Sequence, residues 1–167
     1  TNHDENSWNG TVEERLGEGA DAFAMLTFTL PGMPLIYSGQ EIGLDKRLEF
    51  FEKDAIEWPA DEELIGFYTR LISLKSDRQA LWNGQFGGEM ERISTTMDEK
   101  VFAFSRKKNE DAVVVITNLT GEALDCTLNG VSIEDKYTDY FSGEEIMITN
   151  EMELSFDPWE FMVLISK

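Results

Sequence analysis

The sequence predicts an α/β segment followed by an all-β antiparallel domain. Three observations predict it. The hydrophobic period changes from helical to strand-like near Asn83-Gly84. Beyond that point turn signals recur at short spacing: Asp98-Glu99-Lys100, Asn109-Glu110-Asp111, Thr120-Gly121, Asn129-Gly130, Ser142-Gly143, Asn150 and Asp157-Pro158. Before it, two helix-like stretches flank a short run at 34–37 that is too apolar to alternate and reads as a buried strand.

The elements follow in order. Thr1-Asn2-His3-Asp4-Glu5-Asn6 carries the only histidine, beside an aspartate. Such a segment reads either as a loosely held terminus or as a donor and a carboxylate suited to sugar hydroxyls and a developing positive charge. Thr11-Val12-Glu13-Glu14 matches a capping box, so a helix starts there, weakened by Gly17 and Gly19. Ala20, Phe23, Ala24, Leu26, Thr27 and Leu30 keep helical spacing with few polar interruptions, which predicts a well-buried helix. Pro31-Gly32 stops it. After the run at 34–37, Gly39 permits a tight exit, and Gln40 and Glu41 sit just past the strand's C-terminal end. In barrels of parallel strands that end forms the active-site face; a core strand with a capped turn is the plainer reading.

The loop 44–59 carries Phe50, Phe51 and Trp58 and is long enough for a functional rim or a covered excursion. Its aromatics are expected to pack against the neighbouring helix, with stacking on a sugar ring as the alternative. Asp61-Glu62-Glu63 opens an amphipathic helix with Leu64, Ile65, Tyr68, Leu71, Ile72 and Lys75 on one stripe, explained by core packing. Strands are predicted at 86–93, 101–106, 112–119, 123–128, 137–141, 145–148, 152–156 and 161–165, as in an antiparallel sandwich. This half shows no metal cluster, nucleophile–base pair or phosphate-binding glycine loop. Asn118-Leu119-Thr120 matches a glycosylation acceptor at the end of a strand.

Composition narrows the partners. The 167 residues are 41% hydrophobic, enough for a core of one domain or one and a half. Residues 1–81 hold 16 acidic and 7 basic side chains and residues 82–167 hold 17 and 7, so the halves carry −9 and −10 of the net −19. A surface of that sign repels phosphate backbones and anionic lipid, which excludes nucleic acid and membrane surfaces as partners; a neutral, hydroxyl-rich ligand remains compatible. The single Cys126 excludes an internal disulfide and a cysteine-based metal site. The sequence contains no signal peptide and no apolar run long enough to span a bilayer, so a soluble chain is expected. Its compartment is not specified.

Taken together, these residues resemble the retaining α-glucan hydrolases of the α-amylase family. Asn2-His3-Asp4 is similar to the family motif after the seventh barrel strand. Gly32-Met33-Pro34-Leu35-Ile36-Tyr37-Ser38-Gly39-Gln40-Glu41 is similar to the eighth strand and its exit. The helix ending in Leu74-Lys75-Ser76-Asp77-Arg78-Gln79-Ala80-Leu81, and the closing Asp157-Pro158-Trp159-Glu160-Phe161, resemble the last barrel helix and the end of the C-terminal sandwich.

The resemblance implies a C-terminal fragment of a (β/α)8 barrel (residues 1–81) followed by an antiparallel β-sandwich (82–167), with a start in mid-barrel. It implies that Asp4 is the third catalytic carboxylate, the transition-state stabiliser, and that His3 and Asn2 bind the same sugar. The family's nucleophile and general acid have no counterpart, and retaining hydrolysis needs that pair about 5 Å apart. The chain alone is therefore expected to be inactive, with no cofactor of its own. The family's calcium-binding excursion domain is absent too, so calcium belongs to an intact parent. The alternative is a free-standing, non-catalytic glucan- or protein-binding module. Without earlier barrel strands, Phe23, Leu26, Phe28, Leu30, Leu35 and Ile36 are expected to be incompletely covered, which predicts a homodimer or a loosely ordered N-terminal segment.

Overall fold

The computed structural model describes residues 1–58 and 62–167. The helical half begins with a π-helical turn, Glu5–Asn9, followed by α1 (Val12–Leu16). The Thr11 side chain accepts from the Glu14 amide while the Glu14 side chain accepts from the Thr11 amide, as the capping box predicts. The long helix expected from Thr11 is interrupted. Gly17, at φ +49°, opens a 3-10 turn through Gly19, and α2 (Ala20–Thr29) starts afresh. Gly19 is required for packing as well, since a Cβ there would lie 2.9 Å from the Trp159 ring. Leu30 is extended and ends α2 ahead of Pro31-Gly32.

Residues 34–37 run without forming a strand. The buried strand read at 34–37 is therefore not formed, and the reason is the ladder: among the described residues every paired strand is antiparallel and lies beyond residue 88. An apolar tetrapeptide becomes a strand only where a neighbour accepts its backbone groups. The exit behaves as predicted, with Gly39 left-handed at φ +91° and a tight 3-10 turn, Gln40–Ile42, after it. A Cβ on Gly39 would lie 2.7 Å from the Leu44 side chain. The helix α3 spans Glu62–Asp77. Its predicted opening residue Asp61, like Pro59 at the end of the preceding loop, lies outside the described residues. Tyr68, Leu71 and Leu74 are buried, whereas Ile65 and Ile72, assigned to the same stripe, face outward.

All eight predicted strands are present: β1 (Glu89–Thr95), β2 (Val101–Lys108), β3 (Asp111–Asn118), β4 (Leu124–Asn129), β5 (Asp135–Asp139), β6 (Glu145–Ile148), β7 (Glu153–Phe156) and β8 (Phe161–Ile165). The first begins later than expected because Gly84–Phe86 forms a 3-10 turn. The strands join in one curled antiparallel sheet in the order β6-β5-β8-β3-β2-β1-β4-β7. The curl arises at β1, which pairs with β2 over Glu89–Ile93 and passes to β4 through Ser94–Asn129 and Thr95–Leu128.

Two cores result. Inside the curl lie Val101, Ala103, Val114, Ile116, Leu128 and Leu164 with their neighbours. On the outer face, Phe104, Val113, Val115 and Val163 meet Met25, Leu26, Phe28, Leu71 and Leu74 of α2 and α3. With both faces covered, β3 is buried from Ala112 to Asn118, which explains its unbroken apolar run. The same packing corrects the expectation of widely bare apolar surface: Leu26 and Phe28 are buried and Phe23, Leu30 and Ile36 partly so, leaving Met33 and Leu35 exposed.

The sequon at Asn118 is spent on structure. Asn118 is fully buried; its Nδ2 donates to the Glu122 and Asp157 carbonyls, and its Oδ1 accepts from the amide and hydroxyl of Thr120. Its amide has no access to a modifying enzyme in the folded chain.

Candidate functional site

The first ten residues, read as a possible loose terminus, are tied down at several points. The Thr1 backbone nitrogen donates to Gln40 Oε1 at 3.0 Å, and Gln40 Nε2 donates to the Tyr68 hydroxyl at 2.9 Å. Gln40, placed by the tight Gly39 turn, therefore joins residue 1 to α3. Asn2 Oδ1 accepts from the Glu5 amide at 2.9 Å, so Asn2 caps the turn that presents the next two residues. His3 and Asp4 follow with 64% of each side chain exposed and 3.6 Å between Nε2 and Oδ2. The structure thus brings Asn2, His3 and Asp4 together, with only the last two open to solvent. Gln40 and Glu41 are used internally, Glu41 Oε2 accepting from the Gly39 amide.

The loop after Ile42 is fastened to this turn. Buried Asn6 donates to the Lys46 carbonyl at 3.0 Å and accepts from the Leu48 amide at 2.7 Å, while the Ser7 hydroxyl donates to the Leu48 carbonyl at 2.6 Å. The Thr11 hydroxyl donates to Asp45, and Arg47 pairs with Glu14 at 2.8 Å. Further along, Asp54 takes the Glu49 amide and the Lys46 ammonium. These bonds carry Phe50 to the His3 ring, 5.5 Å between centroids, and to Trp8 at 5.4 Å. Phe50 contacts Phe51 edge-on at 4.7 Å. Of the loop aromatics Phe50 alone packs on a helical turn, against Trp8, while Phe51 is 82% exposed and Trp58 58%. Sequence reasoning missed Asn6, Ser7 and Trp8. Their partners lie some 40 residues away for the first two, and no local signal points to them.

A cavity of about 280 Å³ lies nearby, lined by Glu13, Glu18, Asp21, Gln40, Leu64 and Tyr68. Burial, and then the charge of Glu63, push the Asp21 pKa up. Burial also raises that of the Tyr68 hydroxyl, against the lowering effect of its bond from Gln40. Neither His3 nor Asp4 lines this cavity. Among the described residues no group of three or more His, Cys, Asp or Glu side chains could hold a metal ion, and no helix is long and apolar enough to cross a membrane.

Comparison with known proteins finds relatives among the α-amylases. The α-amylase MalA of Haloarcula japonica is 34% identical over 148 residues, 86% of this chain and 20% of the relative. This chain is homologous to part of an α-amylase-family enzyme. No protein-family model matches it. Other curated relatives include a maltogenic α-amylase of Bacillus acidopullulyticus, 25% identical over 144 residues (84% of this chain and 24% of the relative), and cyclomaltodextrinases. The chain spans about a fifth of the length of the curated relatives it matches.

The maltogenic α-amylase AmyB of Thermotoga neapolitana superposes with a TM-score of 0.82 over 99% of the chain and 40% of that structure, at 19% identity. A structure of AmyP in complex with maltose matches at 0.66 over 87% of the chain and 33% of its own, at 18% identity. At these identities the likeness shows the fold alone. The β-sheet domain matches the C-terminal regions of amylases.

Proposed function

We propose that the chain is the C-terminal portion of a glycoside hydrolase acting on α-glucans, in which residues 1–81 supply the last barrel units and residues 82–167 a C-terminal sandwich domain. The observation that carries this reading is the presentation of His3 and Asp4, side by side and open to solvent, on a turn that Asn2 caps. In this reading Asp4 accepts hydrogen bonds from the hydroxyls of the glucosyl residue under attack and opposes the positive charge of its oxocarbenium-like transition state. His3 donates to the same sugar, and Asn2 holds the turn that orients both while adding a sugar contact. The nucleophile and the general acid come from earlier barrel strands of the intact enzyme, as does any calcium site. Neither step can be replaced by a stabilising carboxylate.

The isolated chain therefore releases no chromophore from a chromogenic maltooligosaccharide, and the same chain behind an upstream barrel does. Turnover by the purified chain, abolished in Asp4→Asn, would sink this division of labour. A free-standing binding module predicts instead that a restored barrel adds nothing.

The same reading accounts for the exposed Met33, Leu35 and Ile72, the apolar side chains on the helical half that earlier barrel units would cover. In the isolated chain a second copy covers them, because bare apolar area is worth about 25 cal/mol per Å² and two-fold pairing buries it on both partners. Light scattering over a concentration and salt series should show a dimer that strengthens as salt screens the −19 charge. A monomer throughout the series would refute it.

A further inference from the structure

We propose that Trp8, Phe50 and Phe51 form a stacking platform for a glucosyl residue of an α-glucan, adjoining His3 and Asp4. The inference rests on the reading above for the identity of the sugar, and stands on separate residues. Three features of the cluster argue for a ligand over a core role.

The rings are in mutual contact, Phe50 lying 5.4 Å from Trp8 and 4.7 Å from Phe51, yet Trp8 is 58% and Phe51 82% exposed. Rings assembled in this way and left facing water contribute little to stability. The loop beneath is also held fast. Asn6 grips Lys46 and Leu48 on both sides of the backbone, Ser7 takes the Leu48 carbonyl, and Asp54 closes the far end on the Glu49 amide. A surface ordered in advance loses little entropy when a ligand arrives. Finally, the platform has a polar flank: the His3 ring leans on Phe50 at 5.5 Å, and Asp4 follows it.

Apolar faces beside one donor and one carboxylate match a pyranose, whose C–H face stacks while its hydroxyls find polar partners. The chain's charge of −19 selects against phosphorylated or otherwise anionic ligands. A neutral α-glucan fits both requirements.

The test is titration of the ¹⁵N-labelled chain with maltoheptaose, followed at the four tryptophan indole N–H signals. The expected result is a saturable shift of Trp8 in the millimolar range, with Trp58, Trp82 and Trp159 stationary. Phe51→Ala, exposed and so harmless to folding, should weaken binding about fivefold or more. Followed at the Phe50 and Phe51 backbone amides, because its indole is gone, Trp8→Phe should bind within about twofold, since it keeps a stacking face. Asp4→Asn, which keeps a hydrogen-bonding side chain but loses the carboxylate, should weaken the Trp8 shift less than Phe51→Ala does, and the catalytic reading is tested separately by kcat in the enzyme that carries an upstream barrel. An absent or unsaturable Trp8 shift, or one indifferent to Phe51→Ala, overturns the proposal. So does a Trp8 shift that follows protein concentration without sugar, since a second copy would then be the occupant.

Discussion

Arg106→Met lowers the stability of the chain by about 4 kcal/mol, because it strips one buried charge from four carbonyls at once. Arg106 lies on the outer face of β2 and is 2% exposed. Its Nε donates to the Gly88 carbonyl at 3.0 Å, Nη1 to Thr29 at 3.0 Å and Leu81 at 3.2 Å, and Nη2 to Trp82 at 2.7 Å. Thr29 ends α2, where carbonyls lack intrahelical partners and the helix dipole favours a cation. One guanidinium thus ties the end of α2, the segment after α3 and the entry to β1 onto the sheet.

The site leaves no slack. A Cβ on Gly87 would lie 1.8 Å from the Trp82 oxygen, so Gly87→Ala strains the same junction. Arg106→Lys keeps the charge without the planar fork and should recover about half of the loss. Urea unfolding at constant m reads the effect. A loss below about 1 kcal/mol in Arg106→Met would show that the four bonds are replaceable by water. A second readout is Lys75, whose pKa is lowered to about 8 by burial first and by Arg106 second; it should rise in Arg106→Met.

In an enzyme that carries this chain behind an upstream barrel, Asp4→Asn lowers kcat about a thousandfold while KM changes far less. The amide preserves shape and hydrogen bonding but cannot oppose charge that develops only in the transition state. His3→Ala, which removes a donor present in both states, should cost about tenfold. Because both side chains are 64% exposed, neither change should move the unfolding midpoint by more than about 0.5 kcal/mol. Steady-state kinetics with maltooligosaccharides, paired with urea curves, separates the roles. A kcat within about tenfold of the parent in Asp4→Asn would remove Asp4 from the catalytic set.

The legibility of the sequence varied with the range of the interactions involved. Thr11 and Glu14 are three residues apart, so their capping box could be read directly, and the chain forms it. The Gly39 exit and the stop at Leu30 were equally legible, since turn and cap chemistry needs only adjacent residues. The opposite case is residues 34–37. Their composition suits a strand, yet pairing is decided by a neighbour the local sequence cannot show. Arg106 offered no signal either, reading as one more residue of an alternating strand until four distant carbonyls converged on it. Of the site, His3 and Asp4 were visible because they are adjacent; the loop that seats Phe50 against them was not.

The sequence by itself determined the helical and strand-like halves, the eight strands with their turns and the adjacency of Asn2, His3 and Asp4, because side-chain period and turn chemistry act over a few residues. Only the tertiary structure decided that the strands join through β1 into one curled sheet, that α2 and α3 cover its outer face around Arg106, and that Asn6 clasps the loop carrying Phe50. Those outcomes rest on donors and acceptors about 40 to 80 residues apart, matched only after the chain has folded.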